Sequence, residues 1–305
     1  MFRPQPPAMR RILVLRGGAL GDLIVTLPAL ALLRARWPGA EIILVGNAVA
    51  GALARDRGLA SALLSQHEAR WAALHEPAPL PAELRAWLGD FDLVFNCWPD
   101  PDGALRGHFP VRPDQVFLHA EALPRPGTGP AAAHYCAALA PLGLRSGELL
   151  FPLVTPVPRV AGSGPVLIHP GSGSPRKNWS LANWLRVAAA LPGTATFVLG
   201  EAEEERWDAA GPATRGFATL RGKPLRELAA ALAACRLFLG HDSGVSHLAA
   251  GCGADCVLLF GPTDAATWAP PSPRVKVLQA GADLTALSVE RVIAAAQARL
   301  RRSPA

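Results

Sequence analysis

The chain has 305 residues, half of them hydrophobic, which is comfortable for two domains of about 150 residues each. Lys and Arg number 30 against 24 Asp and Glu, a net charge of +6 that suits an anionic substrate, an anionic membrane surface or a solvated basic face. The positive residues are dispersed and there is one Tyr, so the basic stripe with aromatics that nucleic-acid binding needs is missing, and no nucleic-acid partner is expected.

Five cysteines, Cys97, Cys136, Cys235, Cys252 and Cys256, make an odd number with no C-x-x-C pair, which reads as reduced, buried thiols of a cytoplasmic protein. No apolar run reaches the ~18 to 20 residues of a membrane helix. Residues 1–9 lack the apolar centre of a signal peptide and read as a disordered lead-in, with Met1 or Met9 as the start.

Residues 11–16 form a short apolar run of strand type, followed by a turn at Gly17 and Gly18. From 20 to 37 apolar residues recur at helical spacing, and Pro38-Gly39 stops that helix. A second strand is expected at 41–45, a helix at 48–57 and a buried strand at 91–96, with Pro-rich loops at 76–83 and 98–113. This is the β-α-β alternation that builds a parallel sheet with a site at its strand ends. A Pro/Gly turn at 124–130 precedes an Ala-rich helix at 131–142, and the breaker-rich stretch 151–165 reads as an interdomain linker. The alternation then restarts, with strands at 166–169, 196–199, 237–240 and 256–260 and helices at 181–191, 202–210, 225–234, 245–251 and 289–302. The expected division is 1–155 and 156–305.

Two Gly-punctuated segments suit a nucleotide diphosphate. His169-Pro-Gly-Ser-Gly-Ser-Pro-Arg-Lys-Asn-Trp179 follows a strand, and its small residues let backbone N–H groups approach an anion, with Arg176 and Lys177 close behind. Lys177 could offset charge building on a departing diphosphate or simply be a surface lysine. Gly240-His-Asp-Ser-Gly-Val-Ser-His247 joins a strand to a helix whose free amides and dipole favour negative charge, although Asp242 could also serve as a cap and His247 as packing. Asp22, in Arg16-Gly-Gly-Ala-Leu-Gly-Asp22, is either a helix N-terminal cap or a carboxylate at the edge of the first strand able to take a proton from an acceptor hydroxyl. Among Glu201, Glu203, Glu204 and Glu205, Glu203 is the preferred ribose partner.

Several other readings fail. Gly17, Gly18 and Gly21 lack the G-x-G-x-x-G spacing, and no acidic residue ends strand two, which disfavours a dinucleotide-dependent hydride transfer. His241, Asp242 and His247 lack further ligands for a metal. Asp100 and Asp102 stand in a Pro-rich stretch that favours an ordinary turn over a cation site.

The segments from Arg16 to Ala29, from His169 to Trp179 and from Gly240 to Ala250, with Leu259-Phe-Gly-Pro-Thr-Asp264, resemble glycosyltransferase family 9, which contains the ADP-heptose:lipopolysaccharide heptosyltransferases. The motifs fall in matching order; the stretch 61–155 matches least. The resemblance implies an α/β GT-B fold of two Rossmann-like β/α/β domains facing a central cleft. The N-terminal one would take the acceptor and the C-terminal one the nucleotide sugar. It also implies inverting transfer of a heptose from ADP-heptose to a lipopolysaccharide core acceptor with no metal and no cofactor. In residue terms, Asp22 would be the general base and Lys177 would meet the diphosphate. Ser172, Gly173, Arg176, Glu203, Asp242, Ser243, Gly244 and His247 would line the donor site, with His241 standing where Asn is frequent. Arg299, Arg301 and Arg302 could touch the cytoplasmic face of the membrane. The alternatives are a same-fold transferase with another donor or acceptor, and an inactive nucleotide-binding partner.

Overall fold

The computed structural model describes residues 8–155, 163–200, 203 and 211–302. It divides into two compact units, Met1–Phe151 and Pro152–Ala305. The linker expected at 151–165 lies partly outside the described residues. Its first part is already tied to the second unit, since Leu153 donates its N–H to the carbonyl of Gly251 at 2.8 Å.

The first unit is a five-stranded parallel sheet in the order β3-β2-β1-β4-β5, formed by β1 (Arg11–Arg16), β2 (Glu41–Gly46), β3 (Ala62–Ser65), β4 (Leu93–Asn96) and β5 (Val116–His119). The side chains of β1 alternate between two covered faces. Leu13 and Leu15 pack with Trp71, Leu74, Leu84, Leu88, Phe91 and Trp98, while Ile12 and Val14 are equally buried. Burial on both sides explains the continuous apolar run of that strand.

The helix expected at 20–37 is two helices, α1 (Leu20–Ile24) and α2 (Leu27–Arg36). Pro28 has no N–H to give the carbonyl four residues back, and Thr26 tightens its own N–H onto Leu23 O at 2.8 Å. The carbonyl of Asp22 is instead satisfied by the Thr26 hydroxyl at 2.9 Å and by Arg16 Nε at 3.0 Å. The unit continues with α3 (Ala48–Asp56), α4 (Ala82–Gly89), α5 (Ala104–Gly107) and α6 (Ala131–Ala137). The helix expected to run to 142 ends at Ala137, and a separate 3₁₀ turn, Ala140–Leu142, starts beside Pro141.

The second unit is a six-stranded parallel sheet in the order β11-β10-β9-β6-β7-β8. Its strands are β6 (Val166–Ile168), β7 (Ala195–Leu199), β8 (Ala218–Arg221), β9 (Leu237–His241), β10 (Cys256–Phe260) and β11 (Val275–Gln279). The helices are α7 (Leu181–Ala190), α8 (Leu225–Ala234), α9 (Gly244–Gly251), α10 (Ala265–Trp268) and α11 (Val289–Arg302). Of the helix expected at 202–210, only Glu203 is among the described residues. One face of the sheet packs Phe197, Leu237, Leu239, Val257 and Leu259 against Trp184 and Val187 of α7 and Val292, Ala296 and Leu300 of α11.

Both sheets have a strand order that reverses at the first strand. In the first unit the reversal lies between β1 and β4, and in the second between β6 and β9. Open α/β sheets bind ligands outside the carboxyl ends of the strands at such a point. In the second unit those ends are His169–Trp179 and Asp242–Gly244, the two segments singled out from the sequence.

Candidate active site

On the first unit, β1 delivers the chain into Gly17-Gly18, and Gly18 adopts φ +95°, a conformation open to Gly at no steric cost. Its N–H donates to Gln66 Oε1 at 3.1 Å. The turn sets Asp22 in the first turn of α1, where Oδ2 accepts the N–H of Ala19 at 2.8 Å and Oδ1 lies 3.3 Å from Arg16 Nη2. Asp22 therefore caps the helix with one oxygen and still leaves its side chain 32% exposed. The capping and acceptor-facing readings are compatible.

Sequence reasoning passed over Arg16 as a functional group. It is 4% exposed, and it reaches the Asp22 carbonyl, the Asp22 carboxylate, Thr26 Oγ1 at 2.9 Å and Tyr135 Oη at 3.0 Å. Tyr135 in turn donates its O–H to Ala122 O at 2.7 Å, and burial pushes its phenol up to about 12. Burial likewise pushes the nearby Cys97 thiol up to about 12, against the opposing pull of Arg16. Arg16 thus fixes the start of α1 from below. The signal was a lone arginine ending an apolar strand, a place where an unpaired charge would be costly.

On the second unit, β6 ends at Ile168 and the loop to Trp179 folds back over the end of β9. Ser172 is buried and its hydroxyl is used inside the loop, 2.8 Å from Ser174 O and 2.6 Å from Asn178 Oδ1. Gly173 and Arg176 are exposed, and a Cβ on Gly173 would meet open space. Lys177 ends a 3₁₀ turn, Pro175–Lys177, and places Nζ 2.7 Å from Asp242 Oδ2. Asp242 is 8% exposed and Lys177 32%, so a largely buried carboxylate is neutralised by a lysine 65 residues away in sequence.

Ser243 is the N-cap of α9, its hydroxyl accepting the Ser246 N–H at 3.3 Å. Gly244 opens the helix, half-buried, and His247 sits one turn in, 5% exposed. The helix start and the Gly-Ser loop therefore present backbone amides at the same sheet edge as Lys177, a setting suited to a diphosphate.

Glu203 departs from expectation. Its carboxylate is 5% exposed, accepts the Gly200 N–H at 3.0 Å and faces His169 Nε2 at 3.7 Å. It lies beneath the loop, where a side chain on Gly171 would collide with it. Burial alone would raise its carboxyl, but His169 and the backbone N–H groups hold it below the usual range. Glu203 supports the loop rather than reaching toward a ribose, because two glycines let the carboxylate fold under the backbone.

The Asp100 and Asp102 pair is structural. Asp100 is buried, accepts the N–H groups of Leu105 and Arg106, and pairs with Arg106 Nε at 2.8 Å. Among the described residues no group of three or more His, Cys, Asp or Glu is placed to hold a metal ion, and no helix is long and apolar enough to cross a membrane. Arg299 is also committed, 16% exposed, 3.6 Å from Asp255 and donating to Pro273 O at 3.1 Å. That removes it from the arginines expected to meet a membrane; Arg301 is exposed, and the side chain of Arg302 is outside the described residues.

Residues 152–292 match the model for glycosyltransferase family 9 (heptosyltransferase). Among solved structures, the chain is similar to a glycosyl transferase family 9 protein from Veillonella parvula, with 23% identity, 96% of this chain and 98% of that chain covered, and a TM-score of 0.75. It is similar to E. coli ADP-heptose lps heptosyltransferase II at 19% identity, 97% and 100% coverage and a TM-score of 0.70. E. coli heptosyltransferase WaaC with ADP gives 18% identity, 95% and 99% coverage and a TM-score of 0.70. No curated protein sequence matches the chain. At these identities the structures establish the fold, the α/β GT-B type with two parallel Rossmann-like sheets. The family match over 152–292, within the second unit, bears out the resemblance to glycosyltransferase family 9 and the expectation of a glycosyltransferase.

Proposed function

We propose that this chain transfers a heptose from ADP-heptose to a lipopolysaccharide core acceptor with inversion at the anomeric carbon and without a metal ion. The observation that carries the reading is the Lys177–Asp242 pair at the β6/β9 strand ends, inside the segment that matches family 9. There the Gly-Ser loop, the start of α9 and one lysine lie at neighbouring strand ends, which supports a diphosphate site.

The acceptor hydroxyl gives its proton to Asp22 as its oxygen attacks the anomeric carbon. The C–O bond to the diphosphate breaks on the opposite face, and the electron pair leaves with ADP. Lys177 turns from Asp242 to the β-phosphate as charge builds there, and Arg176, Gly173 and the amides beyond Ser243 share that charge. Asp242 then balances the lysine before and after the donor is present. Ser172 shapes the loop, and Gly244 and His247 form the wall at the start of α9. We place the enzyme in the cytoplasm, a reading that the burial of all five cysteines and their odd number support. A peripheral membrane contact through Arg301 and Arg302 belongs to the same proposal.

The family match covers 152–292, the donor unit alone, and this favours one second reading, in which ADP-heptose is kept and the acceptor is another glycan. A thermal-shift comparison of ADP, UDP and GDP tests the donor, with ADP expected to stabilise most. ADP release from ADP-L-glycero-D-manno-heptose with and without truncated lipopolysaccharide tests the acceptor. Stabilisation by UDP or GDP in place of ADP would overturn the donor reading, and release with a different glycan alone would select the second reading.

A further inference from the structure

The residue that departs from the family pattern in the second motif, His241, occupies a position with an unexpected set of contacts. It is the last residue of β9, fully buried, and its ring stands edge-to-face to Trp184 at 5.2 Å and 74°. Nε2 accepts the backbone N–H of Trp179 at 2.8 Å and lies 3.3 Å from the indole N–H of Trp184. An atom that accepts from two N–H groups carries no proton of its own, so the ring proton is on Nδ1, which faces the carbonyl of Gly171 at 3.4 Å. Gly171 and Trp179 are the two ends of the loop that carries Ser172, Gly173, Arg176 and Lys177. One imidazole therefore holds both ends of that loop, while the next residue, Asp242, holds its lysine.

We propose that His241 is a positioning residue, a clamp that fixes the 171–179 loop in its anion-binding shape through the neutral Nδ1–H imidazole. The clamp rests on the donor reading only for which nucleotide the loop receives. Burial makes the device effective: desolvation, aided by the nearby His169 and opposed by the Gly171 carbonyl and Glu203, drives the imidazole pKa down to about 3, so the acceptor lone pair on Nε2 is present throughout the working range of a cytoplasmic enzyme. A leucine at 241 would fill the space and strand the Trp179 and Trp184 N–H groups without an acceptor. A glutamine places its carbonyl oxygen near the position of Nε2 and its amide N–H groups alongside, so it restores the contacts in kind.

The test compares wild type, His241→Leu and His241→Gln by tryptic cleavage at the exposed Arg176–Lys177 site, by ADP affinity and by kcat and KM for ADP-heptose. His241→Leu is expected to raise the cleavage rate at this site, relative to other tryptic sites, by about tenfold or more as the loop opens locally. The ADP Kd and donor KM are expected to rise about tenfold, with a smaller change in kcat, and His241→Gln to stay within about threefold of wild type. Leucine variant protein that folds and is cleaved at the wild-type rate would overturn the clamp, as would a glutamine variant as impaired as leucine. Hydrogen exchange at the Trp179 amide in the wild type gives an answer even if His241→Leu does not fold: protection supports the clamp and exchange at the unprotected rate contradicts it. If wild type binds no ADP, the donor reading fails while cleavage and exchange still decide the clamp.

Discussion

Lys177 and Asp242 provide a prediction whose size follows from their unequal burial. At 2.7 Å and an effective dielectric constant of about 20, their gross attraction is about 6 kcal/mol. Desolvation of the two groups and the screening of a lysine that is one-third exposed remove most of that, leaving a net coupling of about 1–2 kcal/mol. The single substitutions are not equivalent. Lys177→Ala leaves a carboxylate at 8% exposure with no cation beside it, whereas Asp242→Asn leaves a lysine that can turn to water. We expect Lys177→Ala to destabilise the second unit by about 2 kcal/mol and Asp242→Asn by about 1 kcal/mol, with the double variant well short of the sum. Native-state hydrogen exchange of the β9 amides, which reports opening of the second unit without averaging over the first, measures all three. Equal losses in the two single variants, or strict additivity in the double, would show that the pair is not a buried neutralisation and would remove the basis for Lys177 as a lysine held ready for a second anion.

Three further outcomes follow from the same geometry. His241 is neutral in the folded protein and its pKa is lowered from 6.5 to about 3, so the unfolded chain binds a proton below 6.5 that the folded one refuses. Its contribution to stability is whole above about pH 6.5 and is lost as pH falls toward 3, with a slope of up to about 1.4 kcal/mol per pH unit that His241→Gln should remove in acid titrations followed by exchange. Gly173→Ala should leave stability unchanged, because a Cβ there meets open space, yet lower ADP affinity if phosphate packs against the loop; Gly171→Ala should harm both, through the clash with Glu203. Isothermal titration and thermal melts separate the two, and unchanged affinity for Gly173→Ala would exclude a close phosphate approach at that residue. Trp184→Ala, at 0% exposure in the core beneath the loop, should cost about 3–5 kcal/mol in the exchange-derived stability of the second unit, and a loss below about 1 kcal/mol would contradict that packing.

What the sequence revealed and what it hid divide along physical lines. Strands buried on both faces, such as β1, β4, β9 and β10, announce themselves as apolar runs bounded by Gly, Pro or charge, and β10 and α8 were expected at their observed bounds. The outlying strands β3, β5, β8 and β11 were missed. Each has four or five residues, Ala218–Arg221 alternates polar and apolar positions, and Val275–Gln279 mixes them, patterns that a short window cannot tell from a loop. Pro28 marks the break between α1 and α2 in the sequence, but the takeover of the Asp22 carbonyl by Thr26 and Arg16 is a tertiary event that periodicity does not record.

The site shows the same division. Gly-rich turns at strand ends pointed to the right segments, because those turns need residues without side chains. Pairing was not readable, since nothing in a linear pattern joins Lys177 to Asp242 or hides Glu203 beneath Gly171. Arg16 was overlooked, and His241 was weighed only as a metal ligand and as a departure from the family pattern, for a related reason. Each is a polar residue ending an apolar strand, and only the folded structure shows how many partners it serves.

The most direct test is acceptor-dependent ADP release by Asp22→Asn beside wild type, with ADP affinity measured on both. Asn can still accept the Ala19 N–H that Asp22 accepts at 2.8 Å, so the fold of α1 and ADP binding should hold while kcat falls by about 10² to 10⁴-fold. Release by Asp22→Asn at the wild-type rate would contradict Asp22 as the base and, with it, the proposed mechanism.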